Sequence, residues 1–156
     1  MIVAGLGQTP IIASAHATST AVATAVGEQN AAYHEEAGIK WYRTFEAAQK
    51  AAQESGKPIF IDFYASWCAN CLAFKEEVSK NAKLNQTLRE NAISMKLVDQ
   101  EPEFEKFREM PDHRQLKIGL PYFAIISPQG NLIWSGTDYK ASEKMISVIM
   151  ANQTQG

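Results

Sequence analysis

The chain predicts an α/β fold, a central mixed β-sheet flanked by helices on both faces. Three observations carry this. Residues 58–64 contain the apolar run Ile59-Phe60-Ile61 and Phe63-Tyr64, of strand length, which reads as a strand buried on both faces. Segments with apolar residues at helical spacing alternate with such runs along the chain. Pro128-Gln129-Gly130-Asn131 separates two short apolar runs near the end and marks a hairpin.

Each element has its own signal. Thr44 is placed to cap a first helix, in which Phe45, Ala48 and Ala52 recur at helical spacing before Gly56 stops it. Residues 58–64 form the first strand. A second helix begins at or near Cys68 and carries Leu72, Phe74 and Val78 on its inner side. Asn81 caps a further turn or two, with Leu84 and Leu88 spaced i, i+4. Ile93 to Val98 reads as a second strand. Pro102 opens a short helix with Phe104 and Phe107 on one face and a solvated charged face opposite. Tyr122 to Ile126 and Leu132 to Trp134 are the hairpin strands. Met145, Ile146, Ile149 and Met150 line one face of a final helix.

A length of 156 residues suits one domain, and a net charge of −2 supplies no basic stripe for nucleic acid. No apolar run approaches the roughly 20 residues needed to span a bilayer. Residues 1–38 read as a flexible leader, because their Ala/Thr-rich composition buries little surface; residues 39–156 are the expected domain. Ala13-Ser14-Ala15 and Ala15-His16-Ala17 have the A-x-A form of a secretory cleavage site. Export, to the periplasm of a bacterium or otherwise, is the expectation; an Ala/Thr leader carrying no address is the alternative.

Cys68-Ala69-Asn70-Cys71 holds the only two cysteines. A disulfide across three residues closes so short a loop that it stabilises little, so the pair points to chemistry. A C-x-x-C beside a β–α pattern reads as a redox motif. A thiolate at a helix N-terminus is stabilised by the helix dipole and free N–H groups, which brings such thiols from about 8.5 to roughly 3.5–7.5. Cys68 is then the nucleophile, and Cys71, one turn further in, resolves the mixed disulfide. The alternative is a binding protein using the pair for a soft metal such as Cu(I). A zinc site usually takes four ligands, and His16, His34 and His113 do not stand at linked metal spacing. No metal or cofactor is therefore assigned.

Trp67-Cys68-x-x-Cys71 after the first core strand, Asp62 six residues before Cys68, and Gly119-Leu120-Pro121 before the hairpin together resemble the thioredoxin superfamily over roughly residues 40–152. The stretch from Cys71 through Val78, Asn81, Leu84 and Leu88 resembles the C-terminal periplasmic domain of the DsbD transmembrane reductase. The chain departs from that domain at Lys75, where an acid is common, and at Lys117, four residues before Pro121, where an apolar residue is usual.

The resemblance implies a thioredoxin-like fold and a thiol–disulfide oxidoreductase, a periplasmic disulfide reductase or electron carrier. Disulfide oxidase or isomerase is the other direction it allows. Its partners are protein thiols and disulfides, with a membrane or soluble redox partner protein. The resemblance gives Asp62 the role of a buried carboxylate exchanging a proton with Cys71; a solvent-facing strand residue is the plainer reading. Pro121 becomes a cis-proline beside the cysteines, leaving the Leu120 backbone open to an extended substrate, where the plainer reading is a strand-start proline. Trp67 and Tyr122 flank the site as an apolar rim. His34 and His113 lie in polar stretches and receive no role.

Overall fold

The computed structural model describes residues 31–154 except residue 112. The leader patterns around Ala13 to Ala17 lie outside the described residues. The described chain runs β1 (Tyr33–Glu36), β2 (Ile39–Tyr42), α1 (Phe45–Ser55), β3 (Ile59–Tyr64), α2 (Ala69–Lys80), α3 (Ala82–Glu90), β4 (Ile93–Val98), α4 (Pro102–Glu109), β5 (Tyr122–Ile126), β6 (Leu132–Gly136) and α5 (Ser142–Ala151). The caps are the expected ones. Thr44 accepts from the Ala47 N–H, and Gly56 closes α1 with φ 72°; Asn81 accepts from the Leu84 N–H at the start of α3.

The expected boundary at residue 38 falls inside an ordered hairpin. Strands β1 and β2 pair antiparallel, from Tyr33 opposite Tyr42 to Glu36 opposite Ile39. Ala37 and Gly38 join them with φ of 55° and 77°, the doubly positive combination of a tight hairpin turn. Ala replaces the Asn or Asp that usually announces this turn, and His34, Glu35 and Glu36 give β1 a polar reading. An edge strand buries only part of its surface, so its apolar signal is weak.

The six described strands form one sheet in the order β1-β2-β4-β3-β5-β6. Strand β4 runs parallel to β3 and β2; β5 runs antiparallel to β3 and β6. Strand β3 is therefore central, with neighbours on both edges and helices over both faces. Alternation divides its side chains. Ile59, Ile61 and Phe63 join Met95 and Leu97 under α1 and α4. Phe60 joins Phe74 and Val78 of α2 and apolar residues of α3 and α5. Asp62 has the parity of Phe60 and so points to the α2 side.

Two helix faces differ from expectation. Leu72 is 43% exposed and Met150 is 49% exposed. In α2 the inward residues are Cys71, Phe74 and Val78, which follow helical spacing from Cys71; Leu72 is one step, about 100°, away from that face. Met150 is likewise one step past Ile149, which is fully buried.

Candidate active site

Strand β3 ends at Tyr64, and Ala65 to Trp67 turn the chain into α2. The Cys68 N–H donates to the Ala65 carbonyl at 3.1 Å. Cys68 is the N-cap of α2, and its Sγ accepts the Cys71 N–H at 3.2 Å. The local sequence explains this placement: a sulfur atom takes the position that a Ser or Asp oxygen holds in ordinary caps. Cys68 and Cys71 are joined as a disulfide, with Cα atoms 5.2 Å apart. Cys68 retains 6% exposure and Cys71 none. Cys71 Sγ lies 3.9 Å from the carbonyl of Phe63, the neighbour of Asp62.

Ala65, Tyr64 and Leu120 pack around the pair. The Leu120–Pro121 peptide is cis. Trp67, beside Cys68, is 70% exposed and stands out from the surface as a rim would. Tyr122 does not. It is 5% exposed and sits on the α1/α4 side, its ring centroid 5.1 Å from that of Phe63, so it offers little surface to a partner. Residue parity decides this, since β5 alternates faces after Pro121.

Asp62 is 1% exposed, and its Oδ1 has no hydrogen-bond partner among the described residues. Burial pushes its carboxyl up to about 7 against the opposing pull of Lys96, with the Glu36 charge adding to the rise. Register brings these groups together: Lys96 is the β4 residue opposite Asp62. The Lys96 ammonium lies 4.0 Å from Asp62 Oδ2 and 3.0 Å from Glu36 Oε1. It also faces the rings of Trp41 and Tyr64, 4.7 and 5.1 Å from their centroids, a favourable setting for a cation. Glu36 meets a second lysine, Lys75, at 3.5 Å, so Lys75 is an ion-pair partner as well as a helix surface charge. Burial raises Glu36, but Lys96, Lys75 and His34 outweigh it and hold its carboxyl below the usual range. His34 is held below its ordinary value by burial and by Lys96 and Arg43, against the pull of Glu36.

The sequence reading passed over Lys96 and Glu36. A lysine inside the apolar strand run Ile93–Val98 was the available signal, because long charged side chains are seldom buried unless paired. His113, in a polar stretch of the sequence, is 3% exposed and stacks on Phe107 with ring centroids 4.0 Å apart. Among the described residues no group of three or more His, Cys, Asp or Glu is arranged to hold a metal ion. No described helix is long and apolar enough to cross a membrane.

A profile of the Thioredoxin-like family matches residues 40–128, more than half of the chain. This chain belongs to the Thioredoxin-like family. The thiol:disulfide interchange protein DsbD of Salmonella paratyphi A is 35% identical over 48 residues, which is 31% of this chain and 8% of that protein. The chloroplastic thioredoxin-like protein CITRX2 of Nicotiana benthamiana is 37% identical over 78 residues, 50% of this chain and 38% of that protein. The chain thus matches well under half of either curated relative. A solved thioredoxin from Thermus thermophilus shares the fold, with a TM-score of 0.58, 16% identity, and coverage of 72% of this chain and 85% of that one. Within this Thioredoxin-like domain Cys68 and Cys71 are joined at the start of α2.

Proposed function

We propose that the protein is an exported reductant or electron carrier that passes two electrons to the disulfides of partner proteins. The observation that carries this reading is a disulfide at the N-terminus of α2, with the buried carboxyl of Asp62 on the sheet face that α2 covers. In the reduced protein the Cys68 thiolate attacks one sulfur of the partner disulfide, and the other sulfur leaves as a thiolate. Asp62 takes the proton of Cys71, and the Cys71 thiolate then attacks Cys68 Sγ. The Cys68–Cys71 disulfide forms, and the partner's second sulfur leaves as a thiolate, taking its proton from Asp62 or water. The partner gains two electrons, and its two thiolates take up two protons: one is the Cys71 proton, and the other comes from water, balancing the proton that Cys68 gave to water on ionising. Pro121 has no N–H, so the Leu120 backbone above the cysteines is open to an extended partner segment; Trp67 adds an apolar edge.

The reducing direction is supported by the likeness of the post-cysteine helix to DsbD. A buried carboxylate also opposes a second negative charge at the pair, so the reduced form is less stabilised and donates more readily. Export is supported by the A-x-A patterns of the leader, and subcellular fractionation tests it. Equilibration with a glutathione series tests the direction. The expected potential is on the order of −200 to −270 mV, and a value near about −120 mV replaces the reductant with an oxidase.

A further inference from the structure

Lys96 has two carboxylates within reach and hydrogen-bonds the more exposed one. Its Nζ is 3.0 Å from Glu36 Oε1 and 4.0 Å from Asp62 Oδ2. The Glu36 side chain is 28% exposed, that of Asp62 2%. Asp62 Oδ1 has no hydrogen bond among the described residues. An ionised carboxylate in that state is costly, and Lys96 is the cation opposite it in the sheet. Glu36 comes from the edge strand β1, where its register partner Ile39 places it on the same sheet face as Asp62. Lys75 of α2 holds the other oxygen of Glu36 at 3.5 Å. Glu36 is thus fixed by two ammonium groups from two elements.

We propose that Glu36 is a positioning residue for the redox site: it draws the Lys96 ammonium away from Asp62 and so sets how readily Asp62 takes the proton of Cys71. The inference rests on the reading of Asp62 as the base for Cys71. The charged groups that act on Asp62 are Lys96 of β4 and Glu36 of β1; Glu36 is itself faced by His34 of β1 and Lys75 of α2, and Lys96 by the Tyr64 ring of β3; β5 places Phe123 at the register position opposite Asp62. A surface cleft of ≈ 290 Å³, lined by His34, Arg43, Lys96, Val98 and Glu101, opens the outer end of this row to solvent. Charge changes at Glu36 therefore act on Asp62 through Lys96, without contact with the reacting sulfurs. The transfer itself moves one proton from Cys71 Sγ to an Asp62 oxygen, leaving a thiolate and a neutral carboxyl group.

The sign is fixed by the geometry. Replacing Glu36 by Gln removes a negative charge and releases Lys96 toward Asp62; both changes favour the ionised carboxylate. The test is a pH titration of the Asp62 side-chain carboxyl by ¹³C NMR in the oxidised full chain, where no thiol titrates. It is paired with single-turnover reduction of a peptide disulfide by the reduced protein across the same pH range. Glu36→Gln is expected to lower the Asp62 midpoint by about one pH unit and to move the acid limb of the rate profile down with it. Lys96→Met is expected to raise the midpoint. Glu36→Asp, which keeps the charge on a shorter arm, lies between Gln and wild type and serves if Glu36→Gln does not fold. In an Asp62→Asn background Glu36→Gln should leave the rate profile unchanged. An Asp62 midpoint that stays in place or rises in Glu36→Gln overturns the inference. If Asp62→Asn alone leaves the rate profile intact, the reading of Asp62 as a base fails, and the titration still decides whether Glu36 controls its charge.

Discussion

The two faces of strands β3 and β4 are built from different materials. Toward α1 and α4 they present Ile59, Ile61, Phe63, Met95 and Leu97, all buried and apolar. Toward α2 they present Phe60, Asp62, Ser94 and Lys96, so polar groups stand among the hydrophobic ones. The second face is covered by α2, which carries the cysteines at its start. Dispersion and the hydrophobic effect act on both faces alike, but the second face carries a carboxylate whose charge is penalised by burial. A group that costs stability where it sits is a candidate for a chemical role. The first face is packed apolar throughout, and the second carries a buried carboxyl group under α2.

Removing one sulfur gives the largest effect. Cys68→Ser should abolish disulfide reduction while the reduced protein keeps its Tm. Cys71→Ser should still attack and accumulate mixed disulfides, read by mass under non-reducing conditions. If alkylation of the reduced protein at neutral pH labels Cys71 first, the two roles are reversed.

Substitution on the apolar face should then act on stability alone. Phe63 is fully buried and packs against Phe104, Phe107 and Tyr122. Phe63→Ala should cost about 3–5 kcal/mol in denaturant unfolding, with the pH dependence of turnover unchanged. A shifted pH profile would show that the two faces are not separable.

Substitution on the polar face should do the opposite. Asp62 has its carboxyl raised to about 7 from an ordinary 3.8. The folded state therefore holds this proton more tightly than the unfolded state, and folding stability falls as pH rises from about 4 to about 7. Asp62→Asn removes that loss. It should stabilise the protein by roughly 2–4 kcal/mol at pH 8 and by little at pH 4, while slowing turnover at neutral pH. Equal stabilisation at both pH values would mean that the charge is not the cause. The smallest effect belongs outside both faces. Trp67→Ala should change stability by no more than about 0.5 kcal/mol yet raise KM for a peptide disulfide; an unchanged KM removes Trp67 from the rim.

The same division governs what could be read in advance. Helix caps, the apolar run of β3, the cysteine spacing and Pro121 are local signals, and each is met where expected. Leu72 and Met150 were misplaced because a position one step from a buried stripe is distinguished only by the packing of the helix on its neighbours. The β1–β2 hairpin was passed over because Ala37 takes a positive φ without the usual turn residue, and because an edge strand needs few apolar side chains. Tyr122 was placed at the rim on its nearness to Pro121 in the chain, while the pleat sends it to the other side of the sheet.

From the sequence alone came the redox pair, its order on a helix start, and the strand that delivers Asp62 six residues earlier. The pair and its order follow from spacing and cap chemistry, and Asp62 was marked by the resemblance of its offset from Cys68 to the family pattern. The tertiary structure decided what surrounds the carboxylate. Glu36 and Lys96 lie 60 residues apart in the chain and meet because an antiparallel hairpin and a parallel strand fall into register on one face. Pairing register is the sum of many backbone hydrogen bonds and buried side chains, and no short stretch of sequence contains it.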